Sequence, residues 1–388
     1  MSQSSSLEAI KKGKRLESLD VFRGATVAAM ILVNNPGSWS HIYDPLEHAS
    51  WHGWTPTDLI FPFFLFIVGV SIVFAFSKRI AKGADISDLR QKTLVRAAKI
   101  FGLGLFLAGF PFFTFSPEFG LSDSLVNIRI PGVLQRIAIC YLIASLFYLY
   151  STQKLQYGFM AGILLGYWAI MEWIPVPGHG AGMIDQPHTN LAAYIDQLVL
   201  GDHMWKENWD PEGILSTLPA IVTTMLGMVA GRIIITSRDE MHKVAQLLLL
   251  GSGLIIVGYV WDLAFPINKN IWTSSYTIFT AGQGMVALGM CYYIIDIRNS
   301  KSWITPFKAY GMNPLIVFFM SGILGRIVYL VKVNSGGEMI SLKHFLYTNV
   351  FSAVASPINA SLLYAITWIL FWLAVVYWMY RKKIFIKV

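Results

Sequence analysis

Cysteine is almost missing from this chain. Its 388 residues hold two, Cys140 and Cys291, both inside apolar runs and far apart. That spacing offers no disulfide framework and no C-x-x-C zinc or redox motif, so no metal is expected and both thiols read as buried structural groups. Charge is scarce as well. Only 13% of residues are Asp, Glu, Lys or Arg, against 55% hydrophobic and 14% aromatic, and the mean hydropathy is +0.55. A soluble globule of this length needs more polar surface. The composition predicts an all-α polytopic membrane protein. The leading residues are polar and basic and lack the apolar run of a cleavable signal peptide.

Apolar stretches of about 18 to 25 residues are long enough to cross a bilayer as helices. Ten are expected: Leu19–Asn35, Leu59–Phe76, Leu94–Phe113, Val133–Tyr150, Leu155–Trp173, Ile214–Ile235, Val244–Phe265, Ser274–Ile295, Pro306–Val331 and Ile358–Tyr380. The run Leu342–Ala355 is too short and polar for another span and reads as an interfacial or re-entrant helix. The expected organisation is a cytoplasmic segment over 1–18, a transmembrane domain over 19–380 with a long outer loop at 175–213, and a basic tail over 381–388.

The basic residues set the orientation. With the N-terminus inside, the inner flanks hold 22 Lys and Arg residues and the outer flanks five, Arg129, Lys206, Lys269, Lys332 and Lys343. This bias predicts both termini in the cytoplasm. The net charge of +8 is mostly this topology signal, so no nucleic-acid partner is expected.

Several polar groups sit where a bilayer makes them expensive. His48-Ala-Ser-Trp-His-Gly-Trp-Thr-Pro-Thr-Asp58 lies between the first two spans and suggests chemistry or transport. Asp20 and Arg23, three apart, share one helical face, which also suits a structural ion pair. Arg129 and Arg136 stand two turns apart at the start of the fourth span; Arg136 needs an internal partner or an anionic ligand. Asn313 and Pro314 interrupt the ninth span, a combination that lines cavities. The outer loop carries Asp210 and Glu212 with Trp205 and Trp209, groups that suit a cationic, sugar-like ligand. An outer loop that avoids Lys and Arg and bears interfacial Trp would look the same.

Taken in order, R-L-x-S-L-D-x-F-R-G at Arg15–Gly24, H-A-S-W-x-G at His48–Gly53, D-L-I-F-P at Asp58–Pro62, R-I-P-G-V-L-Q-R at Arg129–Arg136, D-P-E-G at Asp210–Gly213, N-K-N at Asn268–Asn270 and G-M-N at Gly311–Asn313 resemble the heparan-α-glucosaminide N-acetyltransferase family and its bacterial homologues. The motifs cover nearly the whole membrane domain. The resemblance implies a multi-helix acyltransferase of a bacterial inner membrane that moves acetyl from acetyl-CoA to the amine of glucosamine or a terminal glucosaminide. It implies His48 as the catalytic residue. The chain departs from the lysosomal members in its short polar leader, Met1 to Lys14, and His52 falls at the motif's variable position.

Given that chemistry, neutral imidazole suits His48 either as the base that deprotonates the amine or as the acyl acceptor. Asp58 is the candidate to orient it, and an acid also suits that helix start. Arg23, Arg129 and Arg136 are the candidate anchors for CoA, and Asn34 and Asn313 the candidate donors to the developing oxyanion. Asp210, Glu212, Trp209, Asn268 and Lys269 are the candidate acceptor-binding residues. The expected partners are an amino-sugar acceptor and membrane lipid, with a homodimer as an option. An amino-sugar permease and an O-acetyltransferase of cell-surface glycans are the alternatives; no internal repeat of the kind many transporters carry is visible.

Overall fold

The computed structural model describes residues 16–114 and 119–386. The cytoplasmic segment expected over 1–18 lies outside the described residues up to position 15, as do the last two residues of the 381–388 tail. The chain is overwhelmingly helical, because only a helix satisfies all of its own backbone groups where water is absent. The long helices are α1 (Glu17–Asn34), α2 (Ile60–Ile80), α3 (Ile86–Gly109), α4 (Val133–Tyr150) and α5 (Gln153–Trp173), then α6 (Leu191–Leu200) in the loop, α7 (Thr217–Ile235), α8 (Glu240–Asp262), α9 (Ser274–Cys291), α10 (Thr305–Met312), α11 (Pro314–Leu330) and α12 (Pro357–Arg381).

A helix stands at each of the ten expected positions, but the expected count of ten spans is not confirmed. Among the described residues six helices are long and apolar enough to cross a membrane, α2, α4, α7, α8, α9 and α12, and the bent pair α10–α11 makes a seventh if it is one span. Helix α1 carries Glu17, Asp20 and Arg23, α3 carries five charges between Asp88 and Lys99, and α5 opens and closes on polar residues. The ninth expected span is broken by 81° between Met312 and Pro314. Proline lacks the amide that would continue α10 and instead opens α11, where that amide is not needed. The run expected to form an interfacial helix holds only a short helix, Leu342–Leu346, and a wider π turn, Tyr347–Phe351, after a β-hairpin of Lys332–Ser335 with Glu338–Ser341.

Two opposite faces organise the bundle. On one, the start of α1 meets the end of α9, with the Ser18 amide donating to Asp296 (3.0 Å), and Glu17 pairs with Lys301 and Lys308 beside α10. Residues 384–386, just past α12, join this tail face through Asn313. The loops preceding α2, α4, α7 and α9 gather on the other, the site face. The largest core packs α2, α4, α7 and α9 around Phe66, Val70, Met225 and Phe279. A smaller core joins α1, α10, α11 and α12 around Ile31, Tyr310 and Trp372. Helix α8 presents Leu249, Ile256 and Val260 outward, with Leu263 just past its end, all at least 63% exposed, an exposed apolar face.

Two glycines explain motifs that had no structural reading. At Gly24 an added methyl group would overlap the Phe307 carbonyl, and at Gly311 it would overlap the Asp20 carbonyl. The F-R-G and G-M-N motifs therefore supply the close crossing of α1 and α10.

Candidate active site

The loop between α1 and α2 is pinned at both ends of its outer course. The Gly37 amide bonds the Ser361 carbonyl on α12 (3.2 Å), and the Gly53 amide bonds the Ile267 carbonyl (2.7 Å). Gly53 has φ of +90°, a conformation open chiefly to glycine. The chain then enters a single 3₁₀ turn, Pro56–Leu59, where Asp58 acts twice. Its Oδ2 accepts the Thr55 amide (3.0 Å), the Ala49 amide (3.0 Å) and the Thr55 hydroxyl (3.3 Å). Its Oδ1 lies 2.6 Å from His48 Nδ1. The same carboxylate thus contacts both the turn that starts the helix and His48. Tyr276 secures the turn by donating to the Asp58 carbonyl (2.6 Å).

Asp58 is 1% exposed at its side chain and His48 half exposed. Because Asp58 accepts, its contact assigns the proton to Nδ1 and leaves Nε2 as the unprotonated nitrogen of a side chain that lines the cavity. Lys269 completes the cluster. Its ammonium lies 2.9 Å from His48 Nδ1, 3.1 Å from Nε2 and 3.6 Å from Asp58 Oδ1. Burial pushes this ammonium down from its ordinary range, against the pull of Asp58 and Glu212.

The opposite wall comes from the long loop and the approach to α4. Arg129 makes a forked pair with Asp210, Nε at 2.8 Å and Nη2 at 2.5 Å, and also binds Glu212. Its guanidinium lies 5.1 Å from the Trp205 ring. Burial works against the Arg129 charge, but the Asp210 and Glu212 carboxylates outweigh it and raise its affinity for the proton. Asp210 also caps the amides of Trp205 (2.7 Å) and Glu212 (2.8 Å). Trp209 packs edge-on against Trp51, ring centroids 5.5 Å apart.

One cavity of about 2080 Å³ joins these groups to the rest of the bundle. His48, Lys269, Glu212 and Trp209 line it on the site face; Arg79, Lys92, Arg96 and Lys99 line it toward the tail face. Helix α2 separates His48's loop from Arg79, so the cavity runs about 30 Å at 1.5 Å per residue. Sequence reasoning took those basic residues as an orientation signal and as the side that CoA's phosphates would favour, without naming them as site residues. Lys92, Arg96 and Lys99 stand at i, i+4 and i+7, one face of α3, and that spacing was the available clue.

The other expected site residues divide. Arg23 and Asn34 line the cavity. Arg23 also binds Asp20 (3.2 Å), the Gly311 carbonyl (3.2 Å) and Ser71 (3.0 Å), bracing α1, α2 and α10. Arg136 is 1% exposed and stands behind the cavity wall. It donates to the Gly213 carbonyl (3.0 Å) and Ser216 (2.5 Å) and lies 5.2 Å from the Trp272 ring. Asn313 bonds the Ile384 carbonyl (3.0 Å) and the Ile386 amide (2.9 Å) on the tail face, away from His48. Asn268 is fully buried and folds its own turn, accepting the Ile271 amide (3.1 Å) and contacting His52 (3.3 Å). The structure thus brings together His48, Asp58, Lys269, Glu212, Trp209 and, through Glu212, Arg129 and Asp210.

A helical bundle whose apolar helices fit a membrane, with a His–Asp pair at one end of a large cavity and a cluster of cations toward the other, defines the class: a helical membrane protein with one large cavity along its bundle. Residues 15–265 match the family model described as heparan-alpha-glucosaminide N-acetyltransferase, catalytic, and the chain belongs to that family. Among curated proteins it is similar to the heparan-alpha-glucosaminide N-acetyltransferases of Mus musculus and Homo sapiens, 27% identical to each, the alignments covering 96% of this chain and 60% of each relative. The chain therefore spans about three fifths of the length of those relatives.

Proposed function

We propose that this protein is a membrane acetyltransferase that moves acetyl from acetyl-CoA to the amine of glucosamine or a terminal glucosaminide. The observation that carries the reading is the continuous cavity from the basic tail face to the His48–Asp58 pair. CoA's phosphates suit Arg79, Lys92, Arg96 and Lys99, and its long pantetheine arm suits a narrow interior that delivers the thioester to His48. The acceptor enters from the site face, where Trp209 offers a stacking surface and Glu212 a carboxylate for an ammonium. His48, held by Asp58 through Nδ1, uses Nε2 to remove the amine's proton or to take the acetyl group first.

The alternating course of α1–α5, α7–α9, the pair α10–α11 and α12, and the meeting of both described chain ends on one face, support ten crossings, with the tail face cytoplasmic in a bacterial inner membrane. Purified protein given acetyl-CoA and glucosamine is expected to form N-acetylglucosamine, read by mass spectrometry, with glucose as the hydroxyl-only control. Product from glucose alone would make it an O-acetyltransferase. Sugar uptake into vesicles with no acetylated product would make it a permease.

A further inference from the structure

We infer that Lys269 is a catalytic residue of this transfer, the group that holds the oxyanion formed when the thioester carbonyl is attacked beside His48. The inference rests on the acetyltransferase reading. Both schemes open to His48 pass through a tetrahedral centre within bonding or hydrogen-bonding reach of Nε2, and the Lys269 ammonium already stands 3.1 Å from that atom. Lys269 and His48 line the same cavity, so a carbonyl entering there meets both.

The ammonium is preorganised. Asn268 and Thr273, both fully buried, and Trp272, 1% exposed, form the turn that carries Lys269. The Trp272 amide bonds the Lys269 carbonyl (3.1 Å), and the Asn268 amide bonds the Thr273 hydroxyl (3.0 Å). Trp272 holds φ of +49° to close the turn. A donor fixed before the reaction stabilises developing charge without reorganising, which is the main route by which enzymes lower such barriers.

The charges around it agree. Asp58 has committed Oδ2 to Ala49 and Thr55, so its charge is shared by His48 and Lys269 through Oδ1. Glu212 stands across the cavity, paired with Arg129. Among the asparagines expected to serve the oxyanion, Asn313 is engaged on the tail face, and Asn34, which lines the cavity, is the rival donor.

For direct transfer the step balances. The amine lone pair forms the C–N bond while the carbonyl pair moves onto oxygen, against the Lys269 ammonium. Return of that pair breaks the C–S bond and expels the CoA thiolate. The amine proton passes to His48 Nε2 and from there to the sulfur.

The test is steady-state kinetics of purified wild type, Lys269→Met and Lys269→Arg with acetyl-CoA and glucosamine. Loss of a fixed oxyanion donor predicts a kcat lower by about 100-fold to 1,000-fold in Lys269→Met, with both KM values little changed. Lys269→Arg keeps the charge and is expected to recover part of kcat. An unchanged kcat with a raised glucosamine KM would overturn the inference and make Lys269 an acceptor-binding residue. If Lys269→Met does not fold, folded Lys269→Gln replaces it, and full kcat there overturns the inference equally. A wild type without product defeats the acetyltransferase reading itself; an active wild type with a fully active variant defeats only the role of Lys269.

Discussion

His48 Nδ1 and Asp58 Oδ1 lie 2.6 Å apart, while the other Asp58 oxygen is occupied by two backbone amides and a hydroxyl. The carboxylate cannot turn away from His48 without abandoning the 3₁₀ turn that opens α2. Orientation of the imidazole and the start of a membrane helix are thus one structural fact, which ties the chemistry to the scaffold.

This coupling predicts different outcomes for the two residues. His48→Ala removes the proton acceptor and should lower acetyl transfer by about 100-fold to 10,000-fold, leaving thermal stability and acetyl-CoA binding near wild type. His48→Asn should be nearly as inactive, because an amide cannot shuttle a proton. Asp58→Ala should lose activity and stability together, since His48 and three loop donors lose their acceptor. Folded His48→Ala protein with near-normal turnover would remove His48 from the mechanism.

A second prediction separates the arginines. Arg136 stands behind the cavity wall and braces Gly213 and Ser216, so folded Arg136→Met should keep acetyl-CoA affinity near wild type. Arg96→Ala and Lys99→Ala, in the basic mouth, should each weaken it by about 1.5–3 kcal/mol if their side chains bond a phosphate. Isothermal titration with acetyl-CoA measures both. A large loss in folded Arg136→Met with none at Arg96 or Lys99 would reverse the assignment and return Arg136 to the donor site.

The helices and the His48–Asp58 pair were legible in the sequence for a simple reason: apolar length declares a helix, and ten residues of loop can bring a His and an Asp together. Lys269 was visible only as an outer-turn cation, because its contact with His48 joins positions 221 residues apart. Arg129 and Arg136 looked alike as guanidiniums two turns apart, yet one faces Asp210 and Glu212 and the other is buried. Asn313 looked like a cavity donor, but its partners are backbone atoms of the tail, which no residue pattern announces. The bend at Pro314 was foreseeable; its 81° angle depends on how α11 packs.

The third prediction concerns the two faces. A cysteine replacing exposed Leu198, in the long loop, should react with a membrane-impermeant maleimide in intact cells. A cysteine replacing Lys383 should react only after permeabilisation. Reaction of both in intact cells would place the long loop and the tail on one side and overturn the five crossings proposed between them.

The last prediction is a pH dependence of stability. Asp196 is 2% exposed, and burial, helped by the nearby Asp210 carboxylate, raises its carboxyl from 3.8 to about 7, while the Ile214 amide and Arg136 oppose the shift. The folded protein therefore holds a proton that the unfolded chain releases near pH 4. The stability this proton contributes is fully present below about pH 4 and is lost as the pH rises through about 7, with a ceiling of about 4 kcal/mol. Thermal unfolding in detergent should give a Tm that falls between pH 5 and 8 in wild type. In Asp196→Asn, which keeps an acceptor for the Ile214 amide (2.8 Å in wild type), the profile should be flatter. Identical pH profiles for wild type and Asp196→Asn would show that Asp196 is already ionised in the fold and has no part in this response.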